Sequence, residues 1–256
     1  MSKLNVSEMT ENIKALNHCI GYGNPSAKYW FISLEEGGGY CEKNEEGEID
    51  SLCEERELKR LEIYKNKFSN NNFIPYSLSN EELSEFYLKF PSEKEKVIKD
   101  ISYKNYCSIF NHFNATKISS DNIGDSNINL FISNLYPLSR KTVKSEYDKF
   151  AKDFIFNGDF KEWKNLYWKD RKKNIGRFFT KNFDPARPTT ILCFGADSDN
   201  GFNEVLSDIC NQEIKLSFEK KFVLNNLNIF HTYHPGRINT NNKTFDVEYV
   251  IKLLSD

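Results

Sequence analysis

The chain has 256 residues, a formal net charge of −2 and 14% aromatic residues. A chain of this length can bury a substantial core, and its near-zero charge excludes nucleic-acid binding through a general positive field, so any such surface must be a local patch. No apolar run approaches the roughly 20 residues of a membrane span and the N-terminus carries no signal pattern, so the sequence predicts no membrane partner and a cytoplasmic location.

The chain begins with a predicted helix over 7–19, because apolar residues recur there at helical spacing. A break over 21–25, which contains glycine and proline, follows this helix. The apolar run over 29–32 then predicts a first strand, and it runs directly into acidic and glycine residues.

The stretch from about 42 to 125 predicts a mostly helical insertion after the first strand. Capping boxes begin at Ser79 and at Ser92, each with a glutamate three residues later, and Pro91 separates the two helices. The chain shows neither an internal repeat nor a clear linker. We therefore expect a single domain over 1–256.

Three further apolar runs predict strands over 130–132, 190–194 and 227–230. A glycine turn and a helix over 197–210 follow the run at 190–194, and such a unit is typical of a parallel sheet in an α/β protein. Ligands of open α/β sheets lie beyond the C-terminal ends of the strands. Polar side chains that follow these strands are therefore predicted to form one site. They are Glu35, Glu36, Asn134 and His234.

A basic and aromatic segment extends over 161–181, where eight lysines and arginines alternate with five aromatic residues. Phosphate neutralisation combined with base stacking requires these residue types. An ordinary amphipathic helix with a solvated lysine face explains the pattern equally well.

Four motifs, in this order, resemble those of the uracil-DNA glycosylase superfamily. They are FISLEEG at 31–37, NLYPLSR at 134–140, ILCFGA at 191–196 and TYHPG at 232–236. The resemblance covers the strands and the C-terminal half but not the helical insertion. It implies a three-layer α/β/α sandwich with a central, mainly parallel four-stranded sheet. It also implies a DNA partner and cleavage of the bond between a flipped-out base and its deoxyribose.

The resemblance assigns the chemistry to the first and last motifs. In this reaction the sugar develops positive charge and the departing base develops negative charge. Glu35 maps to the residue that orients water and offsets the charge on the sugar, and Glu36 is the alternative acid. His234 maps to the histidine that stabilises the leaving base, whereas His231 and His112 are interpreted as structural.

Other motif positions would hold the base and the DNA backbone. Asn134 maps to an asparagine that reads the Watson–Crick edge of the base, although an asparagine also commonly closes a turn. Tyr40 and Tyr136 are candidates for stacking on the base. Arg140 and Arg237 are candidates for phosphate contacts.

Gly37 replaces the side chain that blocks the C5 face of the pyrimidine in the well-known uracil enzymes. The resemblance therefore suggests a bulky C5-modified cytosine of phage DNA as the substrate, and a role in anti-phage defence, with uracil as the alternative base. The absence of a lysine from the motif positions predicts a monofunctional hydrolase that leaves an abasic site.

The cysteine pattern predicts no cofactor. Six cysteines are scattered without a CxxC spacing, which indicates neither an iron–sulfur cluster, nor a metal site, nor a disulfide framework. A monomer is expected. The alternative function is a catalytically inactive nucleic-acid-binding module of the same fold.

Overall fold

The computed structural model describes residues 6–35, 51–70, 75–136, 160–184, 186–187, 189–195, 201–236 and 245–255. Within these ranges the chain is an α/β protein. Its helices are α1 (Val6–His18), α2 (Ser51–Asn70), α3 (Asn80–Lys89), α4 (Pro91–Lys99), α5 (Ile101–Phe113), α6 (Phe160–Asn182), α7 (Gly201–Cys210) and α8 (Val247–Ser255). Its strands are β1 (Cys19–Gly23), β2 (Tyr29–Glu35), β3 (Tyr76–Leu78), β4 (Leu130–Tyr136), β5 (Thr189–Phe194), β6 (Lys221–Leu224) and β7 (Leu227–Thr232).

These strands form one mixed sheet in the order β3-β1-β4-β2-β5-β7-β6. The β2–β5 and β5–β7 pairs are parallel, whereas the β1–β4 and β6–β7 pairs are antiparallel. The four predicted strands are confirmed as β2, β4, β5 and β7, and they are neighbours in the sheet.

The described part of the sheet has seven strands where four were expected. The three additional strands were missed because each lacks a clear apolar run. β3 has 3 residues, β6 has 4, and two of the five residues of β1 are glycines. Pairing with a longer neighbour therefore makes these segments strands, since an isolated short strand is not stable in water.

The chain folds into two compact units. The first unit takes its described residues from 1–20, 35–76 and 134–178, and the second takes them from 21–34, 77–133 and 179–256. In the first unit α1 packs against α2, where the rings of His18 and Phe68 lie 4.9 Å apart. The Tyr76 hydroxyl donates to the Tyr64 carbonyl at 2.7 Å, and this bond ties the residue that begins β3 to α2.

The core of the second unit covers both faces of the sheet, because successive side chains of a strand point to opposite faces. On one face Tyr106 of α5 contacts Phe31 and Phe194, with ring centroids 5.2 Å and 5.0 Å away. On the other face the Trp30 ring lies 3.8 Å from that of Phe179. Successive residues of β2 therefore bury apolar surface in opposite directions.

One predicted capping box is confirmed and the other is wrong. Ser79 caps α3, with the reciprocal bond from its own N–H to the Glu82 carboxylate. α4 instead begins at Pro91, and its N-cap residue Phe90 makes no side-chain cap bond. Proline favours the first helical position, so Ser92 lies inside the first turn, where it cannot act as the cap.

Cys53, in the first turn of α2, is disulfide-bonded, although the cysteine spacing indicated no disulfide framework. Cys19, Cys107, Cys193 and Cys210 form no disulfide. Spacing along the chain could not reveal the bond, since a disulfide requires only that two cysteines lie within a few ångströms in space.

Candidate functional site

The parallel strands of the second unit bring three predicted strand ends into register. Ser33 of β2 pairs with Phe194 of β5, and Phe194 pairs with Thr232 of β7. The chain therefore leaves these three strands along one edge of the sheet. Gly195 and His234 both follow strands at this edge.

The glycine turn after β5 is bound to β7. The Gly195 N–H donates to the Thr232 carbonyl at 2.8 Å, and the Gly195 carbonyl accepts from Nε2 of His231 at 2.7 Å. Gly195 has a φ of +114°, and a Cβ there would lie 2.9 Å from Leu34 Cδ1. Glycine is therefore required at this position by both conformation and space.

His231 has the structural role that was predicted for it. Its ring is buried, lies 5.1 Å from Phe202 and 4.9 Å from Phe218, and bonds to the Gly195 carbonyl. His112 lies on α5 and is exposed, with its ring 4.8 Å from that of Phe113.

The loop that carries His234 is held by the first two turns of α5. Asn105 Nδ2 donates to the Pro235 carbonyl at 2.7 Å. A Cβ on Gly236 would lie 2.3 Å from the Ser102 hydroxyl, so a larger residue would require this hydroxyl to move. The loop that carries the histidine is consequently held in place by α5.

The same loop determines which nitrogen of His234 carries the proton. The Gly236 N–H donates to Nδ1 of His234 at 3.1 Å, so Nδ1 is an acceptor and Nε2 carries the hydrogen. Burial lowers the pKa of His234 below its usual value, and the nearby Asp100 carboxylate opposes this shift. At neutral pH the side chain is therefore an uncharged imidazole that presents an N–H donor.

A buried polar pair joins β2 to α5. The Ser33 and Tyr106 hydroxyls share a short hydrogen bond, and burial raises the pKa of Tyr106, so its phenol stays protonated. Sequence reasoning missed this pair and also missed Asn105. A serine and an asparagine carry no signal of their own when the partner lies far away in the chain.

In the first unit the end of β4 is held by a buried arginine. Arg171 is 1% exposed, and Nη2 donates to the Asn134 carbonyl at 2.7 Å while Nε donates to the Leu135 carbonyl at 3.1 Å. Nη1 of the same guanidinium donates to the carbonyls of Leu16, Asn17 and Cys19. The arginine therefore immobilises the backbone that carries Asn134, the predicted base-reading residue.

The remaining predicted site residues are only partly described. Glu35 ends β2 and Tyr136 ends β4, but their side chains lie outside the described part of the structure. Five further predicted residues lie outside the described ranges altogether. They are Glu36, Gly37, Tyr40, Arg140 and Arg237.

The basic segment lies within α6, and its three described aromatic rings are separated from most of the described cations. Trp168, Phe178 and Phe179 are buried, so these three rings offer no platform for stacking bases. Lys172 lies 5.5 Å from the Trp168 ring centroid. Four cations face solvent, namely Lys169, Lys173, Arg177 and Lys181. The described part of α6 is thus an amphipathic helix with a cationic outer face.

Among the described residues no cluster of three or more histidine, cysteine, aspartate or glutamate side chains could hold a metal ion. None of the helices in these ranges combines the length and the apolar character that crossing a membrane requires. In comparisons with known proteins, no family model, curated sequence or solved structure matches this chain.

Proposed function

We propose that this protein is a monofunctional DNA glycosylase that flips a modified pyrimidine out of the duplex and hydrolyses its N-glycosidic bond. The observation that carries this proposal is the state of His234, which follows a strand end and is a neutral imidazole. Its Nδ1 accepts from the Gly236 N–H, so the hydrogen on Nε2 can point to a substrate. Such a donor stabilises the negative charge that develops on an oxygen of the departing base.

The arrangement of the strands supports the proposal. The four strands that carry the glycosylase-like motifs are adjacent in the sheet, and β2, β5 and β7 are parallel to one another. We propose that they form the mainly parallel centre of a three-layer α/β/α sandwich, within a single glycosylase-like domain over 1–256. The four motifs then follow the C-terminal ends of the central strands, where α/β proteins bind ligands.

The roles of the other residues follow from the charge that the reaction develops. Glu35 or Glu36 orients the attacking water and offsets the positive charge on the sugar. Asn134 hydrogen-bonds the edge of the base, while Tyr40 and Tyr136 stack on it. Arg140 and Arg237 contact phosphates. No cofactor takes part in this scheme, and the protein acts as a cytoplasmic monomer.

The substrate that the motifs favour is a cytosine with a bulky C5 substituent, as in modified phage DNA. Gly37 has no side chain to close the C5 face of the pocket, and two more glycines follow it. Uracil is the second candidate base. Excision of a phage base would make this enzyme part of an anti-phage defence.

Incubation with a panel of duplexes tests the proposal. The duplexes contain uracil, hydroxymethylcytosine, glucosylated cytosine or only ordinary bases, and alkali cleaves each strand at any abasic site. We expect cleavage at one modified position and none in ordinary DNA. His234→Ala is expected to slow base release by roughly 10²–10³-fold, the usual cost of removing such a donor.

His112→Ala is the matched control, since His112 is an exposed histidine on α5. This variant is expected to retain full base release. If the protein binds these duplexes but releases no base from any of them, it is the inactive binding module and the proposal fails.

A further inference from the structure

The exposed face of α6 carries three cations at four-residue intervals, Lys169, Lys173 and Arg177, all in the first unit. We call these three residues the α6 stripe. Four residues of helix rise by about 6 Å, so the stripe extends over about 12 Å along the helix. Positions four apart lie on the same side of a helix, so the three charges point in a similar direction.

Several lysines on other helices of this protein form ion pairs with carboxylates within the described part of the chain. Lys59 lies 3.3 Å from Glu62, Lys96 lies 2.6 Å from Glu93, and Lys99 lies 3.1 Å from Glu95. No stripe residue forms an ion pair with any carboxylate that the structure describes. Asp170 is exposed on the same part of α6, and it pairs with none of the three.

The opposite face of α6 fixes the direction in which the stripe points. Trp168, Ile175 and Phe178 are buried, and the Arg171 guanidinium donates to backbone carbonyls of α1, β1 and β4. The helix therefore cannot rotate about its axis without losing these contacts. The positive charge is held on the surface of a protein whose net charge is −2.

We propose that the α6 stripe is a docking surface for the phosphate backbone of duplex DNA. A duplex carries one negative charge per roughly 1.7 Å of its axis, so about 12 Å of duplex presents several phosphates to three cations. The three described aromatic rings of α6 are buried, which argues for a phosphate surface rather than for a surface that stacks unpaired bases. The choice of DNA as the partner rests on the proposed glycosylase function.

The test measures binding of the intact protein to a fluorescein-labelled duplex of ordinary bases by fluorescence anisotropy over a series of KCl concentrations. The variant K169Q/K173Q/R177Q removes the three charges while keeping good helix formers. We expect the slope of log K against log salt to become shallower by about 2.7, or 0.9 for each phosphate contact that is lost.

The matched control is K14Q/K220Q/K252Q, which removes three exposed lysines that lie outside α6. The control is expected to keep the slope of the unaltered protein, and thermal melts check that both variants are folded. The proposal is overturned if the stripe variant keeps the unaltered slope, if the unaltered protein shows no salt-dependent duplex binding, or if the variant loses affinity for single-stranded RNA but not for the duplex.

Base release is measured on the same proteins to separate the two proposals. If the protein releases a base but the stripe variant keeps the unaltered salt slope, the docking proposal is rejected and the glycosylase proposal is kept. If the stripe variant has a shallower slope but the unaltered protein releases no base, the docking proposal is kept and the glycosylase proposal is rejected.

Discussion

At the scale of single residues, His234 shows how a turn can prepare a side chain for chemistry. Its Nδ1 accepts from the N–H of Gly236 two residues later, and α5 holds the same turn through Asn105. Its place after a strand and before Pro-Gly could be read from the sequence. Its pKa could not, because burial and the Asp100 carboxylate, which determine it, come from elsewhere in the chain.

The lowered pKa of His234 predicts how pH affects stability. Its folded-state pKa lies below 6.5, the ordinary value of histidine, so the unfolded chain takes up the proton first as the pH falls. His234 therefore lowers the free energy of unfolding as the pH falls from 6.5 to the lowered pKa, and it has no effect above that window. Protonation also removes the acceptor for the Gly236 N–H, so base release is expected to fall as the pH falls through the lowered pKa of the folded protein.

Asp100→Asn tests the charge that opposes this lowering of the His234 pKa. The Asp100 carboxylate raises the pKa of His234, so its removal is expected to lower that pKa further, as measured by NMR titration of the imidazole. Asparagine is also a good N-cap, so α5 keeps the cap that Asp100 now makes with the Ser102 N–H at 2.6 Å. A pKa above 6.5 in the unaltered protein, or a higher pKa in the variant, would contradict this account.

Asn105→Ala is predicted to act on the reaction through His234. Loss of one hydrogen bond to Pro235 costs about 0.5–1.5 kcal/mol, which corresponds to a decrease in kcat of about threefold to tenfold with KM unchanged. ¹⁵N NMR of the imidazole should show a mixture of tautomers in place of the Nε2–H form. Ser108→Ala on the exposed face of α5 is the control, and an unchanged tautomer in Asn105→Ala would show that the asparagine has no positioning role.

At the scale of elements, the sequence predicted those helices and strands that have a clear apolar pattern or a capping signal of their own. α1, α3 and the four longer strands follow from periodicity and from the Ser79 capping box. β1, β3 and β6 exist because a neighbouring strand is present to pair with them. The start of α4 was misplaced because Pro91 and Ser92 are competing start signals, and proline occupies the first helical position.

The two serines of the predicted capping boxes give a direct test at this scale. Ser79→Ala removes a real cap and should lower the free energy of unfolding by about 1 kcal/mol in urea denaturation. Ser92→Ala should change it by less than about 0.5 kcal/mol, since α4 makes no side-chain cap bond. Equal losses in the two variants would contradict the position of the α4 N-terminus.

At the scale of the whole molecule, Arg171 shows how far a sequence reading can misplace a charge. The basic segment suggested a solvated cation, yet the side chain is buried and burial lowers its pKa to about 10. It binds five backbone carbonyls from α1, its junction with β1, and β4. No local pattern distinguishes this arginine from Lys169 or Lys173 on the same helix.

Arg171→Met is expected to lower the free energy of unfolding by at least about 3 kcal/mol, because several buried carbonyls lose their donor at once. Urea denaturation followed by circular dichroism measures this loss. Lys173→Met on the exposed face of α6 is the matched control and should stay within about 0.5 kcal/mol of the unaltered protein. Similar stabilities of the two variants would show that the Arg171 bonds do not hold the first unit together.

The sequence by itself determined the α/β class, the four motif-bearing strands and the candidate residues at their ends, because apolar periodicity and turn residues act over a few neighbouring positions. Only the tertiary structure decided the three additional strands, the burial of Arg171, the neutral state of His234 and the exposure of the α6 stripe. Each of these depends on burial or on partners that lie elsewhere in the chain. Burial and hydrogen bonding depend on which residues are close in space, and a short stretch of sequence does not show this.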